Sequence, residues 1–167
     1  DPASRTSAAL TRILLERRYG VRAAYEEGTG DDADARLVIG DPALKTRLNG
    51  AVVLDLAAEW RAFTGRSFIF AFWAVREGAD AGMAERVVLA SRDAARARFG
   101  DLVREEARET GLTEPVVEDY LRHSLHFDLD RADFGGLELF YRLAAELSLI
   151  PAALPLEFVS HGIQSVS

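Results

Sequence analysis

The first 75 residues predict an α/β fold, and the helical remainder predicts a second lobe with a ligand cleft between the two. Three observations carry this expectation. Short apolar runs bounded by Gly, Pro or Asn alternate with amphipathic stretches as far as Val75. One run, Arg66 to Val75 (RSFIFAFWAV), is apolar on both faces, as a central strand is. After Gly78 the pattern is helical, which suits a part that belongs to or completes another lobe. The expected organisation is residues 1–75 as an α/β lobe, 76–158 as the helical part and 159–167 as a tail.

The first helix is expected over Ala8 to Tyr19. Leu10, Ile13 and Leu14 share a face, Ser4 or Thr6 can cap its start, and Gly20 can end it. Val21 to Tyr25 is a candidate strand, and the acidic, glycine-punctuated stretch 26–34 a loop. Arg36 to Ile39 is a compact strand ending at Gly40-Asp41-Pro42, where proline in a first turn starts a short helix, Ala43 to Leu48. Asn49-Gly50 makes a turn and Ala51 to Leu54 a further strand. Asp55 caps a helix through Thr64, and Gly65 ends it. Four more helices are expected: Met83 to Phe99, Asp101 to Glu109, Pro115 to His123 and Ala132 to Leu147.

Composition narrows the function. The 20 basic and 27 acidic residues leave a net charge of −7, and no basic tract is present to neutralise a phosphate backbone. Nucleic acid is therefore not an expected partner. With no cysteine, disulfides, thiolate nucleophiles and cysteine-ligated metals are excluded. The longest apolar run, Phe68 to Val75, falls far short of the ~20 residues of a membrane-spanning helix, so no membrane partner is expected. No signal peptide opens the sequence, and Asp1-Pro2 reads as the middle of a longer pattern, a processed product or a fragment.

Several segments form one ordered pattern. They are Ser4-Arg5-Thr6-Ser7 opening a helix, Ile39-Gly40-Asp41-Pro42-Ala43-Leu44, Asp55-Leu56 with Glu59-Trp60 and Thr64-Gly65, and Phe68 to Ala74. Tyr120-Leu121, Phe127-Asp128-Leu129 and Gly136-Leu137 with Phe140 extend it. In this order and spacing they resemble chorismate dehydratase of the futalosine route to menaquinone, over Asp1 to about Phe158. The resemblance implies a periplasmic-binding-protein-like (type 2) α/β lobe with a helical C-terminal part, an incomplete form of a two-lobed fold. It also implies a cytoplasmic carbon–oxygen lyase that converts chorismate to 3-[(1-carboxyvinyl)oxy]benzoate and water without a cofactor.

Two departures from the family pattern are visible. Most of another lobe, which would carry half of the cleft, does not precede Ser4, and Gly28-Thr29-Gly30 stands where a helix is expected. A missing lobe or a homo-oligomer would then complete the site. The tail His161 to Ser167 resembles the strand that normally precedes the Ser4–Ser7 segment, which adds Ser165 to the candidate residues. It reads equally as an unrelated extension.

The candidate substrate-binding residues are Ser4, Arg5, Thr6, Ser7, Gly40 and Asp41. Two hydroxyls and free N–H groups at a helix start suit an anion, and chorismate is a dicarboxylate. The same residues read on their own as an ordinary helix cap with a surface arginine; the resemblance turns the balance for Thr6 and Ser7. Gly40 allows close approach at a strand end, while Asp41 either orients a hydroxyl or, the better reading, caps the next helix. In the sister naphthoate synthase a catalytic histidine is expected at the position of Gly40, so glycine here favours the dehydratase. Trp60, Phe70, Phe72 and Trp73 either wall an apolar pocket or, for most of them, pack a core. His123 and His126 lack an evident third ligand, so no metal is expected. No residue is assigned as catalytic base. The resemblance implies that the substrate's own side-chain carboxylate takes the proton. Two other readings stay open, a non-catalytic carboxylate-binding lobe of solute-binding type and an inactive piece of the enzyme.

Overall fold

A computed structural model describes residues 4–26, 28, 32–45 and 50–157. Its regular structure is helical: α1 (Arg5–Ile13), α2 (Asp41–Lys45), α3 (Leu56–Thr64), α4 (Ala81–Ala97), α5 (Phe99–Thr110), α6 (Glu114–Asp119) and α7 (Arg131–Glu146). Leu14–Arg18 and Tyr120–Ser124 continue α1 and α6 as π-helical turns. The chain divides into two compact units, Asp1–Ala71 with Asp128–Leu154 and Phe72–Phe127 with Pro155–Ser167.

The α/β expectation is overturned. No strand exists among the described residues, so the periplasmic-binding-protein-like fold is not theirs. Val21 to Tyr25, Arg36 to Ile39, Ala51 to Leu54 and Phe68 to Val75 lie outside the helices and form no ladder. The expected central strand is mostly bare, with Phe70 46%, Phe72 47% and Trp73 80% exposed. The physical reason is that β-propensity measures fit to a sheet surface, and a neighbouring strand must supply that surface. Apolar residues on both faces state a tolerance for burial and do not create the partner.

Helix ends follow local chemistry closely. Asp55 accepts a hydrogen bond from the Ala58 N–H at 2.7 Å to start α3, and Gly65 ends it in the left-handed region at φ 70°. At the start of α7, Asp130 accepts from the Ala132 and Asp133 N–H groups, while Asp133 accepts from the Asp130 N–H, a complete capping box.

In the first unit, α1 packs against α3 and α7. Leu10, Ile13, Leu14, Trp60, Ile69, Leu137, Phe140 and Ala144 are buried. Trp60 is the hub. Its ring meets Phe63, Phe68 and Phe140 edge-on, at centroid distances of 6.5, 5.5 and 6.4 Å. Its Nε1–H donates to the Ser67 carbonyl at 3.1 Å. A Cβ on Gly136 would lie 2.2 Å from that same oxygen, so only glycine lets α7 approach this closely. In the second unit, Val103, Ala107 and Val117 form a small core flanked by Phe99, Leu112 and Leu121. The 17-residue α4 buries none of its residues.

Candidate functional site

Ser4 is the N-cap of α1, its Oγ accepting the Ser7 N–H at 3.3 Å. The Ser4 carbonyl receives the Ala8 N–H, and the Thr11 hydroxyl donates to the Ser7 carbonyl at 2.8 Å. This arrangement settles which residue caps the helix, Ser4 rather than Thr6. Among the described residues the N–H groups of Arg5 and Thr6 and the hydroxyls of Thr6 and Ser7 have no hydrogen-bond partner. Thr6 is half-buried, Arg5 is exposed, and Ser7 is buried at 6% exposure. An anion approaching this turn would meet two backbone donors and the Thr6 hydroxyl at the positive end of the helix.

Gly40 and Asp41 form a separate, exposed corner. Gly40, at φ 63°, presents its carbonyl to the N–H groups of Ala43 and Leu44, and Asp41 is the first residue of α2. No hydrogen bond or ion pair joins this corner to Ser4–Ser7 among the described residues. Ser165 and the rest of the tail from His161 lie outside the described residues.

The aromatic candidates separate cleanly. Trp60 is core, whereas Phe70, Phe72 and Trp73 are exposed. Among the described residues no group of three His, Asp or Glu side chains could hold a metal. His123 instead lies beside Asp119, with Nδ1 at 2.9 Å from its carboxylate.

Sequence reading missed three features of the first unit. A concavity of about 400 Å³ is lined by Arg61, Thr64, Gly65, Arg66, Ser67 and Ala132, and none of the expected site residues borders it. It arises where the end of α3 and the Ser67 backbone meet the start of α7, a tertiary approach with no local signal. Beside α1, the Arg12 guanidinium lies over the Tyr25 ring at 4.3 Å. Burial pushes the Tyr25 phenol above its ordinary range, Arg12 opposes the shift, and Glu16 adds to it. Tyr19 and Arg18 both bind Glu59 of α3, the latter at 2.9 Å, tying the π-helical turn to that helix.

A family model described as menaquinone biosynthesis matches residues 1–146. The chain belongs to that family. Menaquinone biosynthesis is thus its role, and membership points to an enzyme of that route. No solved structure is significantly similar to this menaquinone-biosynthesis chain. None of its described helices is long and apolar enough to cross a membrane. The match spans the start of α1, the Gly40–Asp41 corner and all of α7, so every described candidate residue falls within the family's range.

Proposed function

We propose that the chain serves the cytoplasmic dehydration of chorismate to 3-[(1-carboxyvinyl)oxy]benzoate, with the start of α1 holding a substrate carboxylate. The observation that carries this reading is the Ser4-capped turn, where the Arg5 and Thr6 N–H groups and the Thr6 hydroxyl are free beside the positive helix end. Ser7, being buried, shapes the turn more than it meets the substrate. Loss of water turns a cyclohexadiene into a benzoate, so aromaticity drives the step and the protein's task is orientation. Among the described residues no acid or base side chain adjoins the turn through a hydrogen bond, consistent with a proton passing to the substrate's own carboxylate.

That same lack of an acid or base supports the second reading, carboxylate binding without turnover. One experiment separates the two. Chorismate is incubated with the protein and followed by ultraviolet absorbance and product mass. A product lighter by one water supports the lyase, and Thr6→Val should then lower the rate about tenfold, the equivalent of about 1.4 kcal/mol. Saturable binding with chorismate recovered intact would replace the lyase reading by the binding one.

A further inference from the structure

The concavity between the end of α3 and the start of α7 shares no residue with the α1 turn, and its chemistry is one-sided. All the residues that line it, and Gly135 beside it, belong to the first unit. Arg61 and Arg66 bring two guanidinium cations to it, and no carboxylate lines it. Among the described residues neither guanidinium has a hydrogen-bond or ion-pair partner, and the Ser67 hydroxyl has none either. Thr64 is already committed: its hydroxyl donates to the Trp60 carbonyl at 2.8 Å and accepts the Arg66 N–H at 3.1 Å. The free side-chain groups are thus one hydroxyl and two cations that can only donate.

We propose that this concavity binds a small dianion through oxygens of carboxylate or phosphate type, at a site separate from the start of α1. Donor-only cations are matched by a ligand that accepts and carries the opposite charge, and the guanidinium fork fits either oxyanion. A neutral polyol or amide would leave both charges unmatched. At about 400 Å³ the space lies near the lower end of ligand pockets, which suits a small molecule. A long polyanion would meet a chain of net charge −7 on every other side.

The backbone that carries the cations is fixed before any ligand arrives. Gly65 turns at φ 70°, Thr64 holds the Arg66 N–H, and the Ser67 carbonyl takes the Trp60 Nε1–H. Arg66 is laid against α7, where a Cβ on Gly135 would collide with its Nη1. Such fixing lowers the ordering cost of binding. The end of α7 is not itself the recognising element. Asp130 takes the Ala132 and Asp133 N–H groups with its carboxylate and the Phe134 N–H with its carbonyl. Recognition falls to Arg61, Arg66 and Ser67.

Isothermal titration at low ionic strength tests this, with inorganic phosphate and succinate as probes and acetate as the single-charge control. The expected result is saturable binding of at least one dianion at about 1 mM or tighter, with acetate weaker by about tenfold or more. Whichever dianion binds identifies the oxyanion. Arg61→Gln and Arg66→Gln break no hydrogen bond or ion pair among the described residues, and each should weaken binding about tenfold. Gly135→Ala keeps both charges and adds a methyl within a helix, yet displaces the Arg66 guanidinium; it should weaken binding about three- to tenfold. Helical circular dichroism at the parent value certifies each variant as folded. In Thr6→Val, altered at the α1 turn, the affinity should stay within about twofold, whether or not that turn holds chorismate. No saturation by either dianion up to about 20 mM overturns the proposal. So does acetate binding as tightly as the dianions, an affinity unchanged in both arginine variants, or binding lost in Thr6→Val, which would place the anion at α1.

Discussion

The two units hold their helices by different means. In the first, a single indole joins three other aromatic rings and a backbone carbonyl that Gly136 of α7 closely approaches. In the second, the buried residues among those described are Val103, Ala107, Thr110 and Val117, none of them aromatic, and exposed ion pairs such as Arg122–Glu118 at 2.8 Å run along the helices. Exposed pairs of that kind contribute a few tenths of a kcal/mol, whereas a buried aromatic contributes several. Helices can thus look alike in outline while one set rests on a packed centre and the other on local propensity and caps. The candidate carboxylate site belongs to the first kind, since α1 buries Leu10 and Ile13 beneath the turn that Ser4 caps.

The largest expected effect strikes the hub. Trp60→Ala should cost about 3–5 kcal/mol, the range for removing a buried aromatic. Denaturant unfolding checks it, and a cost below about 1 kcal/mol would erase the contrast between the units. Fluorescence offers a companion test, because Trp60 is fully buried and Trp73 is exposed. In Trp60→Phe the remaining emission should be red-shifted and readily quenched by acrylamide; in Trp73→Phe it should be neither. Next comes Gly136→Ala. Its Cβ would displace the Ser67 carbonyl that Trp60 uses, combining overpacking with a damaged hydrogen bond at about 2–4 kcal/mol in total.

A smaller effect is expected where no core stands behind the helix. Asp80 caps α4 by accepting the Met83 N–H at 2.8 Å, and α4 buries nothing. Asp80→Ala should cost about 1 kcal/mol, felt as local fraying. Amide exchange should quicken within α4 while the global denaturation midpoint barely moves. A large drop in that midpoint would show α4 to be integral to the second unit's core.

These contrasts also explain what could be read in advance. Caps are local chemistry, so Asp55 and Gly65 around α3 were legible from the sequence. Ser4–Ser7 at the start of the first helix was legible for the same reason. Strands are not local. RSFIFAFWAV satisfies every compositional rule for a central strand, yet ladder bonds require a neighbour at the right distance, which composition does not contain. The site divides along the same line. A hydroxyl-rich turn can be seen in four consecutive letters, but the Arg61–Arg66 concavity depends on the Gly136–Ser67 approach across about 70 residues of sequence and had no signature.

The smallest expected effect turns on one shared motif. Each unit places an arginine over a ring at 4.3 Å, Arg12 over Tyr25 in the first and Arg122 over Phe99 in the second. Only the tyrosine carries a titratable proton, so alkali should separate the pair. Burial raises the folded-state pKa of Tyr25 above the unfolded value near 10, despite the opposing pull of Arg12. Below that value the phenol is protonated in both states, and its contribution to stability is fully present. As pH climbs past about 10 the unfolded state loses its proton first, and the contribution drains away until pH passes the raised folded value. Because Tyr25 is itself exposed, solvent screens the effect and the loss is small. The check is a spectrophotometric phenol titration with denaturation midpoints measured in parallel from pH ~9 to ~11. Relative to the parent, Tyr25→Phe should lack the component that ionises above the ordinary tyrosine range, and its stability should fall slightly less steeply. Phe99→Tyr in the second unit is the converse experiment: it puts a phenol under Arg122 and should introduce a pH dependence where none existed. If Tyr25→Phe leaves both the titration and the slope unchanged, the Arg12–Tyr25 contact does not bury the phenol, and the two arginine–ring pairs are equivalent.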